Sequence, residues 1–383
     1  MKFISHAMTF IIPLLPAFLV QVSALPETTA SLLLACIFFV SGCTQIFIGN
    51  SFDEGYGKSA LIFSFCSALV GILLVMFLYQ NLFAIALGAI LTIISLDIVS
   101  TAILRSLVAS APDHLRGEAS AKLYLTHNLG FCCASVLAFY FLESHRLLLF
   151  TGDLITTLSM IVLLLFLFNS LKFAPKKQRK SLFTVIDKAW LKRNWSMLSF
   201  HYLMYINIFI HAIIIPMIFA KAGINAIKWT TFLLAINTGI VVVLALPITR
   251  LTKTWNDKYT ILLSCFLFGL AHALVPYYLE PWGIAMTATI GVLGEITCVP
   301  PLTNILYRCF KQENMGLASG LKVSLRAISM FSMPLLGLFL FSFFPIHYKP
   351  AFSVMCVVLA IITFLLGAVA IHKGQQNLAS ITN

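Results

Sequence analysis

The chain has 383 residues, 60% of them hydrophobic and only 10% charged, and its 25 Lys and Arg outnumber 13 Asp and Glu to give a formal charge of +12. A water-soluble domain of this length needs far more charge on its surface, so the composition excludes a soluble enzyme and asks instead for repeated apolar segments of about 20 residues.

Twelve such spans are predicted, over 4–25, 28–50, 58–79, 82–105, 117–142, 146–171, 196–220, 229–249, 258–278, 282–307, 315–343 and 350–371. Continuous apolar runs of this length predict helices, because a membrane barrel would alternate polar and apolar residues over strands of about ten. The first span follows a single Lys2 and is interrupted by Pro13 and Pro16, so it reads as a span and not as a cleaved leader despite "VSA" at 22–24. Short turns such as "SALPETTA", "FDEGYGK", "APDHLRGE" and "TKTWNDK" separate most spans, and Pro300-Pro301 are expected to break the tenth. The only long polar stretch, 172–195, divides six spans from six. It reads as a linker whose "SLFTVIDKAW" segment forms an amphipathic interfacial helix with Phe183, Ile186 and Trp190 toward lipid.

Placing both termini in the cytoplasm puts eighteen Lys and Arg residues inside and four outside, with Lys122, Lys322 and Arg326 left within spans. This positive-inside bias accounts for the net charge without invoking nucleic acid. All nine cysteines fall within spans or at their ends, and Cys132-Cys133 is too tight for a metal cage, so they read as small packing residues with no disulfide or metal role.

The two halves echo each other. "RGEASAKLYLTHNLG" (116–130) aligns without gaps on "MGLASGLKVSLRAIS" (315–329), which sets His127 opposite Arg326, and the loop after span two, "GNSFDEGYGKS", has a counterpart in "LPITRLTKTWNDKYT". The first of these loops carries Gly49, Asp53, Gly57 and Lys58. Span five opens on "PDHLRGEASA" followed by Asn128 and Gly130, span eleven on "ENMGLASGL", and span one holds "IIPLLP". On these residues the chain resembles the major facilitator superfamily over its whole length. The resemblance implies an all-α membrane protein of 12 transmembrane helices in two pseudo-symmetric six-helix bundles, 1–171 and 196–383. It further implies a monomer in the plasma (inner) membrane that needs no cofactor and moves a small molecule by alternating access. Two departures stand out: Glu54 with one extra residue after Asp53, and Gly130, Ala134 and Ser135 where many proton-coupled antiporters of the family carry Gly-x-x-x-Gly-Pro. The second removes the usual support for an exporter.

Conformational gating is expected at Gly49, Asp53, Gly57, Lys58, Arg105 and Arg116, with Asp53 set against the positive N-terminal end of span eleven and paired with Arg105 or Arg116. Read otherwise, Asp53 is an ordinary loop acid.

The ionisable residues inside spans are Asp97, Lys122, His127, Asp153, His201, His211, His272, Glu295, Lys322 and Arg326. An unpaired charge in hydrocarbon costs roughly 2.5–3.5 kcal/mol at the helix centre, so these groups must face a cavity or one another. Lys322 and Arg326 are four apart and share a helix face, and Arg326 lies too deep to snorkel; Lys122 pairs most simply with Glu118. In the family arrangement spans 3, 6, 9 and 12 lie outside the cavity, which assigns Asp153 and His272 to interfaces or boundaries, while His201 reads as interfacial. The substrate site is therefore expected at Arg326, Lys322, His127, Asn128, His211 and Asn207, and proton coupling at Asp97 and Glu295, since a poorly hydrated carboxylate can take up and release a proton. A static pair between Arg326 and either acid is the alternative. No HExxH, phosphate-binding loop or nucleophile elbow occurs, which disfavours an enzyme. These features predict a proton-coupled carrier of a small anionic or zwitterionic solute, with an exporter of lipophilic cations, or of a metabolite or siderophore, as the other reading.

Overall fold

The computed structural model describes residues 15, 19, 26–110, 116–142, 145–167, 186–252, 254–310 and 314–382. They form α1 (Glu27–Asp53), α2 (Gly57–Leu78), α3 (Leu82–Ser110), α4 (Arg116–Phe141), α5 (Arg146–Leu167), α6 (Lys188–Lys221), α7 (Ala226–Thr252), α8 (Asp257–Leu274), α9 (Pro281–Tyr307), α10 (Met315–Phe343) and α11 (Tyr348–Thr382), with a 3₁₀ turn over Val275–Tyr277. Each αn answers to predicted span n + 1. Span one lies outside the described residues apart from Leu15 and Leu19. Ten of these helices are long and apolar enough to cross a membrane, and α5 contributes the shorter apolar run Leu147–Leu163, so twelve spans are not reached among the described residues.

Large apolar side chains lie on the outer surface as well as inside: Phe83, Phe166 and Ile346 are each at least three-quarters exposed. In water such a surface would aggregate; in lipid it is the matching solvent. Inside, the fully buried Phe38, Phe150, Phe200, Phe219, Phe268 and Phe352 fill the space between helices.

Three expectations are corrected. α6 starts at Lys188, eight residues earlier than span seven, because the Asp187 carboxylate accepts the Trp190 N–H at 2.6 Å and caps the helix. Trp190 does not face lipid: it is buried, its ring 5.1 Å from that of Phe310, and Ile186 is half-buried beside it. Phe183 and the rest of the linker lie outside the described residues. Finally, α9 runs through Pro300-Pro301 to Tyr307 without a break, as neighbouring helices can re-satisfy the freed carbonyls.

α1 lies along α10, α4 along α7, and these pairs join the first group of helices to the second. The α1–α10 crossing is backbone on backbone. A methyl added to Gly49 would sit 2.5 Å from the Gly316 carbonyl oxygen, and one on Gly320 would sit 2.8 Å from the Gly49 Cα. Further along the crossing the Ser324 hydroxyl donates to the Gly42 carbonyl at 2.6 Å. Residues 316, 320 and 324 are spaced by four, which places three small residues on one face and lets the helices touch.

Candidate functional site

A cavity of about 240 Å³ opens between the two groups, lined from α4 by His127, Asn128 and Phe131, from α6 by Phe209 and His211, from α9 by Glu295 and from α10 by Lys322 and Arg326. The helical spacing of four puts Lys322 and Arg326 on the same wall.

Arg326 Nη2 donates to Asp97 Oδ1, joining α10 to α3. Ser41 of α1 donates its hydroxyl to the other oxygen, Oδ2, at 3.2 Å. The Asp97 side chain is 4% exposed and that of Arg326 27%, so the carboxylate is sunk behind a guanidinium that still faces the cavity. The Arg326 Nε–H is buried and has no partner among the described residues. Lys322 Nζ donates to Thr303 Oγ1 at 2.8 Å. Glu295 is buried beside Tyr124 and Asn237, and no cation pairs with it among the described residues. The two acids thus differ: one is neutralised by a fixed cation, the other has only dipoles around it.

The histidines separate likewise. His127 lies in the cavity, its ring edge-on to Phe131 at 4.6 Å, and Asn128 donates back to the Tyr124 carbonyl at 2.9 Å. His211 lines the cavity and also a smaller pocket behind it. His201 is not interfacial: it is fully buried, with ring nitrogens 2.8 Å from the Met197 carbonyl and 2.7 Å from that of Leu302. Asn207 does not line the cavity; its Nδ2 donates to Thr363 Oγ1 of α11 at 3.0 Å. Asp153 and His272 are buried at helix–helix interfaces, Asp153 beside Phe65 and Thr92, and His272 beside His211 and Thr287. Lys122 is exposed, away from the cavity.

The Asp53 carboxylate caps the start of α10, accepting the Gly316 N–H at 2.9 Å and the Leu317 N–H at 2.7 Å, and Arg105 Nε donates to it at 3.1 Å. It therefore occupies the positive end of a helix that otherwise has no side-chain cap. Gly55, with φ at 90°, turns the chain between α1 and α2, Gly57 begins α2 in a buried position, and Lys58 is exposed. The side chain of Arg116 lies outside the described residues.

Sequence reasoning missed the neutral polar residues that complete the site: Tyr124, Asn237 and Thr303 in the cavity, and Ser41 behind Asp97. Tyr124 is one helical turn before Asn128 and Asn237 lies mid-span, so each is visible as a polar residue in an apolar run.

The family profile of the Major Facilitator Superfamily matches residues 3–334. The chain belongs to this superfamily. Among solved structures, this superfamily member is similar to the human organic anion transporter MFSD10 (TETRAN), with TM-score 0.72 and 14% identity, covering 96% of each chain. It is also similar to a POT family transporter solved in complex with 5-aminolevulinic acid (TM-score 0.69, 11% identity, 96% of this chain and 95% of that one). The nucleoside transporter NupG gives TM-score 0.65 at 11% identity, with 97% and 96% covered. No curated protein matches the sequence. At these identities the likeness is one of fold.

Proposed function

We propose that this superfamily member is a secondary transporter of a small anionic or zwitterionic solute that works by alternating access, with a proton accompanying an anion. The observation that carries the reading is the cavity's charge set. Arg326 and Lys322 balance Asp97 and Glu295, so the empty site sums to zero with neutral histidines. Adding a carboxylate substrate alone would leave a net negative charge in a poorly hydrated space; adding it with one proton restores neutrality. Charge balance thus ties anion to proton.

Two steps follow from the geometry. When Asp97 is protonated its hold on Arg326 weakens, and the guanidinium, part of which lines the cavity, can take the substrate carboxylate by paired hydrogen bonds. When Asp97 loses the proton it competes for the same guanidinium and helps release the substrate. Glu295, across the cavity and away from any fixed cation, is the second proton carrier and the group that would meet the amine of a zwitterion. The contact of Asp53 with α10 and Arg105 holds one end of the bundle shut, and the charge bias of the loops supports that end as cytoplasmic, with the plasma (inner) membrane as the site of action and a monomer of two six-helix halves as the unit.

The test is proton movement into proteoliposomes containing a pH-sensitive dye, with small carboxylates screened against lipophilic cations. Carboxylate-dependent acidification in the wild type, absent in Arg326→Ala and reduced in Asp97→Asn or Glu295→Gln, is expected. Flux driven only by cations and surviving Arg326→Ala would overturn the anion reading in favour of a cation exporter.

A further inference from the structure

Behind the cavity, α6, α7, α8 and α9 enclose a small pocket of about 20 Å³ lined by His211, Asn237, His272, Thr287, Ala271 and Gly291 among others. His211 and Asn237 line the central cavity as well, so the two spaces share a wall. His272 is 3% exposed, its ring stacked on Phe268 at 5.7 Å and 5°, and its Nδ1 has no hydrogen-bond partner among the described residues. A buried imidazole nitrogen without a partner is costly, and a pocket just large enough for one water, with several polar groups around it, is where a structural water belongs.

We propose that this pocket holds a water bridging His272 Nδ1 to His211 and Asn237, and that the bridge is a proton branch leading out of the central cavity through the second group of helices. Thr287 directs its hydroxyl hydrogen to the backbone, at 2.9 Å from the Gly283 carbonyl and 3.1 Å from that of Ile284, which leaves its oxygen free to accept from the water. Within the branch a proton on the His211 imidazole passes to the water while another leaves the water for His272 Nδ1; bonds to hydrogen are exchanged and nothing is oxidised or reduced. The titratable groups facing the pocket are His211 from α6 and His272 from α8, while α7 offers Asn237 and α9 offers Thr287, with Glu295 one turn beyond Gly291. α11, packed behind α8, places the neutral Ser353 hydroxyl on the Ala273 carbonyl. The branch gives the proton-coupling reading a route beyond Glu295 and rests on that reading for its use, but its existence is tested without transport.

Gly291 supplies a variant that leaves the helices in place, because an added methyl would lie 3.5 Å from the Ala271 Cβ, an ordinary contact, and would occupy the pocket. The experiment is solid-state NMR of the full chain, ¹⁵N-labelled at histidine, in lipid bilayers, with the His272 signal assigned by its loss in His272→Gln. In the wild type, magnetisation transfer from water to His272 and exchange of its ring hydrogen after transfer into D₂O are expected. In Gly291→Ala the water contact should disappear and the exchange should slow at least about tenfold, with the His127 signal unchanged. A dry His272 in the wild type, or exchange as fast in Gly291→Ala, would refute the branch, and neither result depends on whether an anion is transported.

Discussion

At Arg326 the chain answers a problem common to membrane proteins, that of keeping a charge in a low-dielectric space yet available. The cation is neutralised from behind by a carboxylate that is itself held by Ser41, while part of the guanidinium still lines the cavity. Removing one partner of a buried pair costs on the order of 3–5 kcal/mol because the remaining charge is left bare, whereas removing both is far milder. Arg326→Ala is therefore expected to lower the thermal midpoint of the detergent-purified protein clearly, toward the lower end of that range since the cavity hydrates Arg326. The double variant Asp97→Asn/Arg326→Ala should recover most of the loss in the same melt. Equal destabilisation in single and double variants would show that the two side chains do not act as a pair. Both charges were legible in the sequence as ionisable residues deep in apolar runs, but not their partnership, because 229 residues separate them and two acids were available. Asn207 shows the same limit on the other side. Its spacing of four from His211 put the two on a common strip of α6, and that strip is wide enough for one to face the cavity and the other Thr363.

Between helices, the decisive contact is the seam of α1 and α10. Gly49, Gly316 and Gly320 bring the backbones together at the end of the bundle where Asp53 caps α10 and Arg105 completes the cluster. A side chain at Gly320 has nowhere to go except by parting the helices, since its Cβ would meet the Gln45 carbonyl oxygen at 2.5 Å. Gly320→Val should accordingly disfavour the closed arrangement, and so should Asp53→Ala, which strips two N–H caps and an ion pair at once. Spin labels on the ends of α1 and α10 should report longer distances in both variants than in the wild type; unchanged distances would mean that the seam does not hold the closed state. Apolar runs made the helices legible, and the small residues of "GLASGL" were visible as a repeat. What they touch was not, because the partner of a small-residue face is decided by shape and not by chemistry. The starts of helices were less legible where a single side chain sets them, as Asp187 does for α6.

For the whole molecule the cavity's balanced charge makes a prediction about voltage. If a monoanion and one proton always travel together, each cycle moves no net charge, and clamping the membrane potential with valinomycin and potassium should leave the rate of carboxylate-driven acidification nearly unchanged, against a sensitivity of about 2.3 kcal/mol per charge per 100 mV for an electrogenic cycle. Strong stimulation by an inside-negative potential would instead require an additional cation per turnover. The architecture that permits such a cycle was readable from the echo of "RGEASAKLYLTHNLG" in the second half and from the apolar spans, while the number of spans seen among the described residues stops at ten.

The α1–α10 seam has one further consequence, for the order in which it opens. Helices that meet through side chains interlock, and separating them means withdrawing each knob from its hole. Two bare backbones in contact have nothing to withdraw. Once the Asp53 cap lets go, the glycine end of the seam has no side chain to withdraw and parts by breaking a handful of hydrogen bonds, whereas further along the Ser324–Gly42 bond and the Phe39 and Phe331 rings still join the two helices, so the seam opens from its Asp53 end first.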